Sequence, residues 1–328
     1  VQGEEMIQIQ LINAQDVPAA ADLFITRFKH LRKNATSLPE TFCNPAVVWN
    51  VLSDLLGTCP MLGAWEGEKM IGYLGWYIAL NFRGTKRTAA YCPEWAHTAL
   101  PGLEDKAYRA LYSEASMVWE KAGCEAHAIT VLADQADTVK AWFWRGFGML
   151  VVDGVRSIQR VGSTLPLGSD VRKATEKDVP ALASLELAHS RHYSSPPVHM
   201  AAYTPRKEED ILAALQQADK SYWLALAGGE AAAFVRFEVG DEDRARVVRA
   251  DDMVAVTGAF TLPKWRGKKF MATLLDAGLA EFAAKGYKHC CVDYEAINPE
   301  ASAFWPRYFT PVCYSLLRIP ESISQAYN

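Results

Sequence analysis

The sequence repeats itself at a constant offset of 162 residues. The tetrapeptide Asp-Val-Pro-Ala begins at Asp16 and again at Asp178. Further matches at this offset are Gly67-Glu68 with Gly229-Glu230, Leu100-Pro101 with Leu262-Pro263, His127 with His289, Ala141, Arg145 and Phe147 with Ala303, Arg307 and Phe309, and Arg156 with Arg318. An offset held over so many positions is hard to reach by chance. The 328 residues therefore form two copies of one fold, each of about 150 residues.

Both copies show the same succession of helix and strand patterns. Asp16 and Asp178 are N-cap candidates, and each precedes a proline in the first turn of a helix. The further elements predicted are helices over 45–56, 207–218, 270–285 and 299–308, hairpins over 61–78 and 222–239, and strands over 253–262, 289–294 and 312–319. The order α-α-β-β-β-α-β-α-β predicts an α/β (mixed α+β) fold, in which each copy is a mixed sheet with helices on both faces.

The boundaries that follow are an N-terminal domain over 1–158, a linker over 159–170 and a C-terminal domain over 171–328. The linker is predicted from its glycine, proline and serine content.

Composition excludes several classes of function. The net charge is −4, so no overall basic field exists to hold nucleic acid or an anionic membrane. No apolar run approaches the roughly 18 residues of a membrane helix, and the first residues lack the features of a signal peptide. The seven cysteines form no CxxC pair, which argues against zinc knuckles and a disulfide framework. We therefore expect a cytoplasmic protein without a structural metal.

One segment, Phe260–Met271, carries the strongest chemical signal. It lies between a predicted strand and a helix N-terminus, where free backbone N–H groups and the helix dipole favour an anion. Four of the six residues in Lys264–Lys269 are cationic in a chain that is acidic overall. The pattern is typical of a phosphate or pyrophosphate site, although a solvated basic turn would look the same.

At this point the sequence resembles the GNAT acetyltransferase superfamily. The stretch Leu-Pro-Lys-Trp-Arg-Gly-Lys, starting at Leu262, is similar to that family's V-x-P-x-[YW]-R-G-K loop, and Asn298–Trp305 is similar to its N-x-x-A-x-x-[FL]-Y segment. The resemblance implies that loop amides cradle the pyrophosphate of acetyl-coenzyme A (acetyl-CoA), that its pantetheine arm lies between two splayed strands, and that a small amine attacks the thioester directly. The cofactor-binding residues it implies are Phe260, Thr261, Arg266, Gly267, Lys268, Lys269, Phe270, Met271, Asn298 and Trp305.

The sequence departs from the family pattern at three of these positions. Lys269 and Met271 stand where the family loop R-x-x-G-x-[GA] has small residues. Trp305 stands where the family often has a tyrosine general acid, and an indole N–H cannot serve as that acid. As catalytic candidates we take Glu295, at the end of a strand, as base, and Tyr294 as a replacement acid. Tyr308 and Tyr314 remain alternatives for the acid. His192 and His199 lie in an expected surface loop which, by the resemblance, lines the acceptor pocket.

The N-terminal copy departs further. Glu104-Asp105 stands where the C-terminal copy has Arg266-Gly267, and two carboxylates repel a pyrophosphate. We expect that this copy does not bind coenzyme A.

The sequence thus predicts an acyl-CoA-dependent N-acyltransferase that transfers acetyl to a small amine. Two alternatives stay open. One is a catalytically silent tandem module that binds acyl-CoA or another ligand, and the other is a transferase that uses a non-acetyl acyl donor.

Overall fold

The computed structural model describes residues 7–164, 169–200, 203–240 and 244–321. These residues pack into two units that share the chain. Unit 1 holds the described residues up to Val152, Ala245–Val247, and those from Pro311 onward, whereas unit 2 holds those of Asp153–Arg244 and Val248–Thr310. The C-terminal strand, which by the repeat belongs to the second copy, thus packs in unit 1. The linear boundaries given above stay predictions, and residues 165–168 of the linker lie outside the described residues.

Unit 1 begins with a short strand and two helices and continues as strands with two further helices. Its elements in chain order are β1 (Gln8–Leu11), α1 (Val17–Asn34), α2 (Pro45–Leu56), β2 (Met61–Glu66), β3 (Lys69–Gly75), β4 (Tyr77–Ala79), β5 (Ala89–Cys92), β6 (His97–Ala99), α3 (Glu104–Lys121), β7 (Ala126–Leu132), α4 (Ala136–Phe143) and β8 (Gly148–Ser157), which runs on into unit 2. Strands β1, β2, β3 and β6 form an antiparallel sheet in that order. Strand β5 pairs antiparallel with β4 and parallel with β7.

Unit 2 repeats this plan. Its elements are β9 (Ser169–Lys173), α5 (Val179–Ser194), α6 (Glu208–Leu215), β10 (Lys220–Ala227), β11 (Glu230–Val239), β12 (Met253–Thr261), α7 (Phe270–Ala284), β13 (His289–Glu295) and α8 (Pro299–Phe304), followed by β14 (Thr310–Arg318). Strands β9, β10, β11 and β12 are antiparallel neighbours, and β13 pairs parallel with β12. Strand β14 pairs antiparallel with β7 of unit 1. The mixed α/β class is confirmed.

The sequence analysis missed the first strand of each copy and misjudged two caps. Strands β1 and β9 are short and carry no apolar run that would reveal them. Asp16 and Asp178 do stand at the N-cap positions, but neither side chain bonds to an amide of its helix. Each carboxylate instead turns back to accept a hydrogen bond from a preceding backbone N–H, that of Asn13 or Thr175. The predicted N-caps were wrong in this respect.

Strands β12 and β13 pair over only part of their lengths. Their register runs from Met253 opposite His289 to Val256 opposite Val292. At this point β12 carries a bulge. On β11, Phe237 pairs with Val256 and the preceding Arg236 pairs with Gly258, so Thr257 has no register partner. A bulge bends its strand and ends regular pairing. The strands therefore diverge beyond the bulge and leave a gap.

A buried arginine holds the bulge in place. The Arg236 guanidinium donates to both the Thr257 hydroxyl, at 2.8 Å, and the Thr257 carbonyl, at 2.6 Å. The ideal Cβ position on Gly258 lies only 3.0 Å from the same guanidinium, so a side chain there would push it aside. Without this donor the part-buried Thr257 carbonyl would lose a hydrogen bond that its place in the bulge depends on.

Helix α7 packs closely on the sheet because one of its residues is glycine. A Cβ on Gly278 would lie 2.0 Å from the Phe237 ring, so a larger residue would lift the helix away from β11. This contact fixes the position of the α7 N-terminus, which opens on the gap described above.

Candidate active site

A cavity of about 470 Å³ lies where β12 and β13 diverge. Its lining includes every cofactor-binding residue and both first catalytic candidates predicted from the sequence, whereas the alternative Tyr314 is not among the lining residues. The predicted residues in the lining are Phe260, Thr261, Arg266, Gly267, Lys268, Lys269, Phe270, Met271, Tyr294, Glu295, Asn298 and Trp305. The structure thus brings the predicted residues together, and their roles in binding and catalysis stay predictions.

The basic loop turns sharply between β12 and α7. Gly267 has φ 75° and Lys269 has φ 65°, and the second value places a lysine in the left-handed region that favours glycine. Lys269 is the N-cap of α7, and its carbonyl accepts the Thr273 N–H at 3.0 Å. The amides of the first helical turn have no acceptor within the helix. They and the cationic side chains give this end of the cavity the character of an anion site.

Arg266 is held by three groups around the cavity. Its Nε donates to the Thr261 carbonyl at 3.2 Å, its guanidinium forms an ion pair with Glu300, and it lies 5.9 Å from the centre of the Phe260 ring. The other Glu300 oxygen, Oε2, lies 3.6 Å from His192 Nε2. Arg266 therefore lies in the cavity wall with its guanidinium paired to the Glu300 carboxylate. An anion that binds to Arg266 competes with this carboxylate.

The segment after β13 closes the far side of the cavity. Asn298 caps α8, since its Oδ1 accepts from the Glu300 N–H at 3.2 Å and the Ala301 N–H at 3.4 Å. Trp305, Tyr294 and Glu295 are buried. The Asn298 side chain is thus already engaged in holding the helix that carries Glu300 and the aromatic wall.

A second wall of the cavity, formed by α5 and the segment after it, was not predicted from the sequence. His189, Tyr193 and Tyr203 line the cavity together with Met200. His192, expected in a loop, lies in the last turn of α5 and also lines the cavity, whereas His199 is exposed and is not among the lining residues. The signal that could have found this wall is the spacing of Glu186, His189 and Tyr193 along one helix face.

A buried charge pair lies behind this wall. Glu186 is fully buried, and its Oε1 accepts from Arg236 at 2.7 Å and from the Tyr222 hydroxyl at 3.2 Å. Burial alone would raise the pKa of Glu186, but His189 and Arg236 outweigh it and hold that pKa below its usual value. Burial raises the pKa of Tyr222 to about 12. Arg236 therefore has two roles: it neutralises a buried carboxylate, and it supports the bulge at Thr257.

Unit 1 has carboxylates at the corresponding helix start. A second cavity, of about 670 Å³, is lined there by Glu104, Asp105 and Asp137 among others. Glu104 pairs with Arg27 at 3.1 Å, and Asp105 pairs with Arg109 and Arg145. The cations near this helix start are therefore paired with carboxylates of unit 1. This agrees with the expectation that this copy does not bind coenzyme A, and that expectation stays a prediction.

Two histidines of unit 1, His97 and His127, are hydrogen-bonded inside its core. His97 is buried and contacts the Tyr108 hydroxyl at 2.9 Å and the Thr130 carbonyl at 2.7 Å. His127 contacts the Tyr112 hydroxyl at 2.8 Å. Burial lowers the pKa of both histidines to about 4. Both are therefore neutral structural residues near neutral pH.

The described residues contain neither a candidate metal cluster nor a candidate membrane span. No cluster of three or more metal-ligating side chains occurs among them. None of the helices in that part of the chain has the length and apolar character needed to cross a membrane.

The comparisons with known proteins concern the second half of the chain and the overall fold. A model of the acetyltransferase (GNAT) family matches residues 186–309, a segment that contains every residue that lines the cavity. This part of the chain, which holds the candidate site, is therefore similar to GNAT acetyltransferases. A search of curated proteins returns no match.

Two solved structures extend the likeness to nearly the whole chain. A GCN5-related N-acetyltransferase from Sphaerobacter thermophilus is 12% identical, with a TM-score of 0.54 and 97% of each chain covered. The glucosamine N-acetyltransferase region of a fungal multi-domain GH3 β-N-acetylglucosaminidase is 13% identical, with a TM-score of 0.53, and the match covers 96% of this chain and 38% of that one. At these identities the likeness shows the fold alone, which is that of two tandem GNAT-like domains.

Proposed function

We propose that this protein is an acyl-CoA-dependent N-acyltransferase whose active site is the cavity of unit 2. In this proposal it transfers acetyl from acetyl-CoA to a small-molecule amine by direct attack on the thioester. The observation that carries the proposal is the gap between β12 and β13 with a cationic turn and a helix N-terminus at one end. The match of residues 186–309 to the GNAT family model supports it.

The residues around the gap suit the two chemically different parts of coenzyme A. Arg266, Lys268 and Lys269 provide cations beside the first amides of α7, where a pyrophosphate is favoured. Beyond the bulge, residues 258–261 of β12 line the cavity without a strand partner on the β13 side. The backbone groups there are available to an extended amide-bearing chain such as pantetheine.

The proposed chemistry needs a proton acceptor for the amine and a donor for the departing sulfur. Glu295 and Tyr294 lie on the cavity wall at the end of β13, so both remain candidates for these steps. Trp305 contributes apolar surface only. The cytoplasmic location and the small amine acceptor expected from the sequence are parts of this proposal.

The test is a thermal-unfolding series with buffer, coenzyme A and acetyl-CoA. A ligand at about 100 times its Kd stabilises the folded state by about 2.7 kcal/mol, so binding raises Tm measurably. We expect this shift in the wild type and its loss in Arg266→Glu, which replaces a cavity cation by an anion. The matched control is Lys264→Glu, which makes the same charge change two residues away at a side chain that does not line the cavity.

Each other outcome points to a different conclusion. A wild type that does not respond to any coenzyme A species would overturn the proposal. A shift without thiol release when amines are supplied would favour the silent module. A larger shift or faster turnover with propionyl-CoA or longer donors would favour the non-acetyl alternative. A shift lost equally in Lys264→Glu would place the ligand elsewhere.

A further inference from the structure

One histidine of the cavity wall is enclosed on all sides except that of the cavity. His189 lies on α5 and is only 3% exposed, yet it lines the cavity. Its ring centre lies 4.8 Å from that of Tyr193, 4.9 Å from that of Tyr203 and 5.5 Å from that of Phe260. The last contact places it beside the strand that borders the gap.

The two ring nitrogens of His189 have different surroundings. Nδ1 lies 2.9 Å from the Tyr203 hydroxyl oxygen. Within the described residues no hydrogen bond reaches Nε2, and this atom is not among the enclosed polar atoms that lack a partner. Nε2 is therefore the nitrogen that remains open to the cavity.

A fully buried carboxylate lies next to this imidazole. Glu186 Oε2 is 3.9 Å from His189 Nδ1 and has no hydrogen-bond partner among the described residues. A carboxylate at this distance stabilises the imidazolium more than the neutral ring. A nitrogen open to the cavity, a fixed ring and a buried anion behind it are the parts of an oriented general base.

We propose that His189 is the general base of the acyl transfer, that Glu186 is its positioning residue, and that Tyr203 fixes the ring. This inference rests on the proposed function and names the proton acceptor of that same site. It assigns the base to α5 rather than to Glu295 on β13.

The acyl transfer is balanced in protons and electrons without a further reactant. The lone pair of a neutral amine forms the C–N bond with the thioester carbonyl carbon while His189 Nε2 takes a proton from that nitrogen. The C–S bond breaks with its electron pair on sulfur, and the imidazolium returns the proton to the sulfur. The products are an amide and free coenzyme A, and His189 is neutral again.

The groups around His189 decide its charge. Burial lowers its pKa below the ordinary value, and Arg236 and His192 act in the same direction, whereas Glu186 opposes them. The other titratable side chains against the ring are Tyr193 and Tyr203, and Tyr222 lies behind them on Glu186. The ring is therefore neutral near pH 7 and able to accept a proton. Activity is expected to fall as pH drops through its pKa.

The experiment follows thiol release from acetyl-CoA, with water alone and with phenethylamine, an arylalkyl amine that suits the aromatic wall. The variants are His189→Gln, Glu295→Gln, His192→Gln and, as a matched control outside the cavity, His289→Gln. Rates are recorded from about pH 5 to about pH 9, across the range in which an imidazole titrates. Thermal shifts with acetyl-CoA are recorded for each variant.

We expect His189→Gln to lose about 10²-fold or more in rate, together with the rise in rate with pH, while its shift with acetyl-CoA stays that of the wild type. We expect imidazole added to His189→Ala to restore part of the rate, which a purely structural role would not allow. His289→Gln should match the wild type.

Several results would overturn the assignment. These are an unchanged pH profile in His189→Gln, loss of the profile in Glu295→Gln or His192→Gln instead, and a wild type that binds acetyl-CoA but releases no thiol with either acceptor. A wild type without a thermal shift would instead defeat the proposed function, and with it this assignment. Binding and base catalysis are thus tested separately.

Discussion

Lys269 adopts a backbone conformation that its side chain disfavours. Its φ of 65° lies in the left-handed region, which costs an L-residue roughly 1–2 kcal/mol. We predict that Lys269→Gly raises the free energy of unfolding by about 1 kcal/mol or less, because the greater freedom of glycine in the unfolded chain offsets part of the gain. Lys269→Gln, which keeps the strain, should leave stability unchanged.

Both Lys269 variants remove the same charge, so they separate strain from electrostatics. Denaturant unfolding gives the stability difference, and titration with acetyl-CoA gives the affinity. We expect equal loss of affinity in the two variants. If Lys269→Gly were no more stable than Lys269→Gln, the left-handed conformation would not be under strain.

Among single residues, those that act within one continuous stretch of sequence could be predicted. Those whose role depends on contacts between distant parts of the chain could not. The loop before α7 is a continuous stretch whose chemistry is readable, and its residues from Trp265 to Met271 do line the cavity. His189 is different, because its importance comes from contacts with Tyr203 and Glu186 and from the bulge-supporting Arg236. These meet only in the folded chain, and a lone histidine on a helix gives no sign of them.

At the scale of elements, one carboxylate on α7 ties the helix to two strands. Glu281 Oε1 accepts from Lys173 on β9 at 2.6 Å, and its Oε2 accepts from Ser221 at 2.6 Å and Trp223 at 2.9 Å, both on β10. Lys285 adds an ion pair at 2.9 Å. Burial alone would raise the pKa of Glu281, but these donors outweigh it and lower the pKa to about 2.

This network predicts an acid-sensitive stability. Unfolded Glu281 has its ordinary pKa of about 4.3, so its contribution is complete above that pH and is lost as pH falls towards 2. We predict that Glu281→Gln lowers the free energy of unfolding by about 1.5–3 kcal/mol near pH 7, the usual range for hydrogen bonds to a charged group. Denaturant unfolding at several pH values measures it.

The comparison with the wild type at low pH provides the control. Near pH 2 the two proteins should approach each other in stability, since the folded wild-type carboxyl then begins to take up the proton that the unfolded chain already carries. A constant difference across the whole range would mean that the contribution of Glu281 does not depend on its charge.

The elements themselves were largely predictable, whereas the break between two of them was not. Helix α2 has the predicted bounds, and β12 and α7 differ from prediction by one residue each at their C-terminal ends. The bulge at Thr257 left no trace in the sequence, because the apolar run from Met253 reads as one regular strand. The bulge is set by Arg236 on the neighbouring strand, and so is the gap that forms the site.

At the scale of the whole molecule, chain order and packing order differ. The repeat predicts two consecutive domains, yet β14 pairs with β7 and its Leu316 lies in the core cluster of unit 1 with Ile129 and Trp142. A periodicity argument assigns residues to copies by sequence position. It has no means of detecting that the last strand packs in the other unit.

This arrangement predicts where a C-terminal core mutation acts. Leu316→Ala should cost about 2–5 kcal/mol, and hydrogen exchange should show protection lost in β7, which is far away in sequence. The matched variant Leu224→Ala removes an equally buried leucine from the core of unit 2. It should instead raise exchange in β10 and β11, because native-state opening follows packed units rather than chain order. Faster exchange in β12 and β13 of Leu316→Ala, with β7 unchanged, would show that β14 stabilises the copy it follows in sequence.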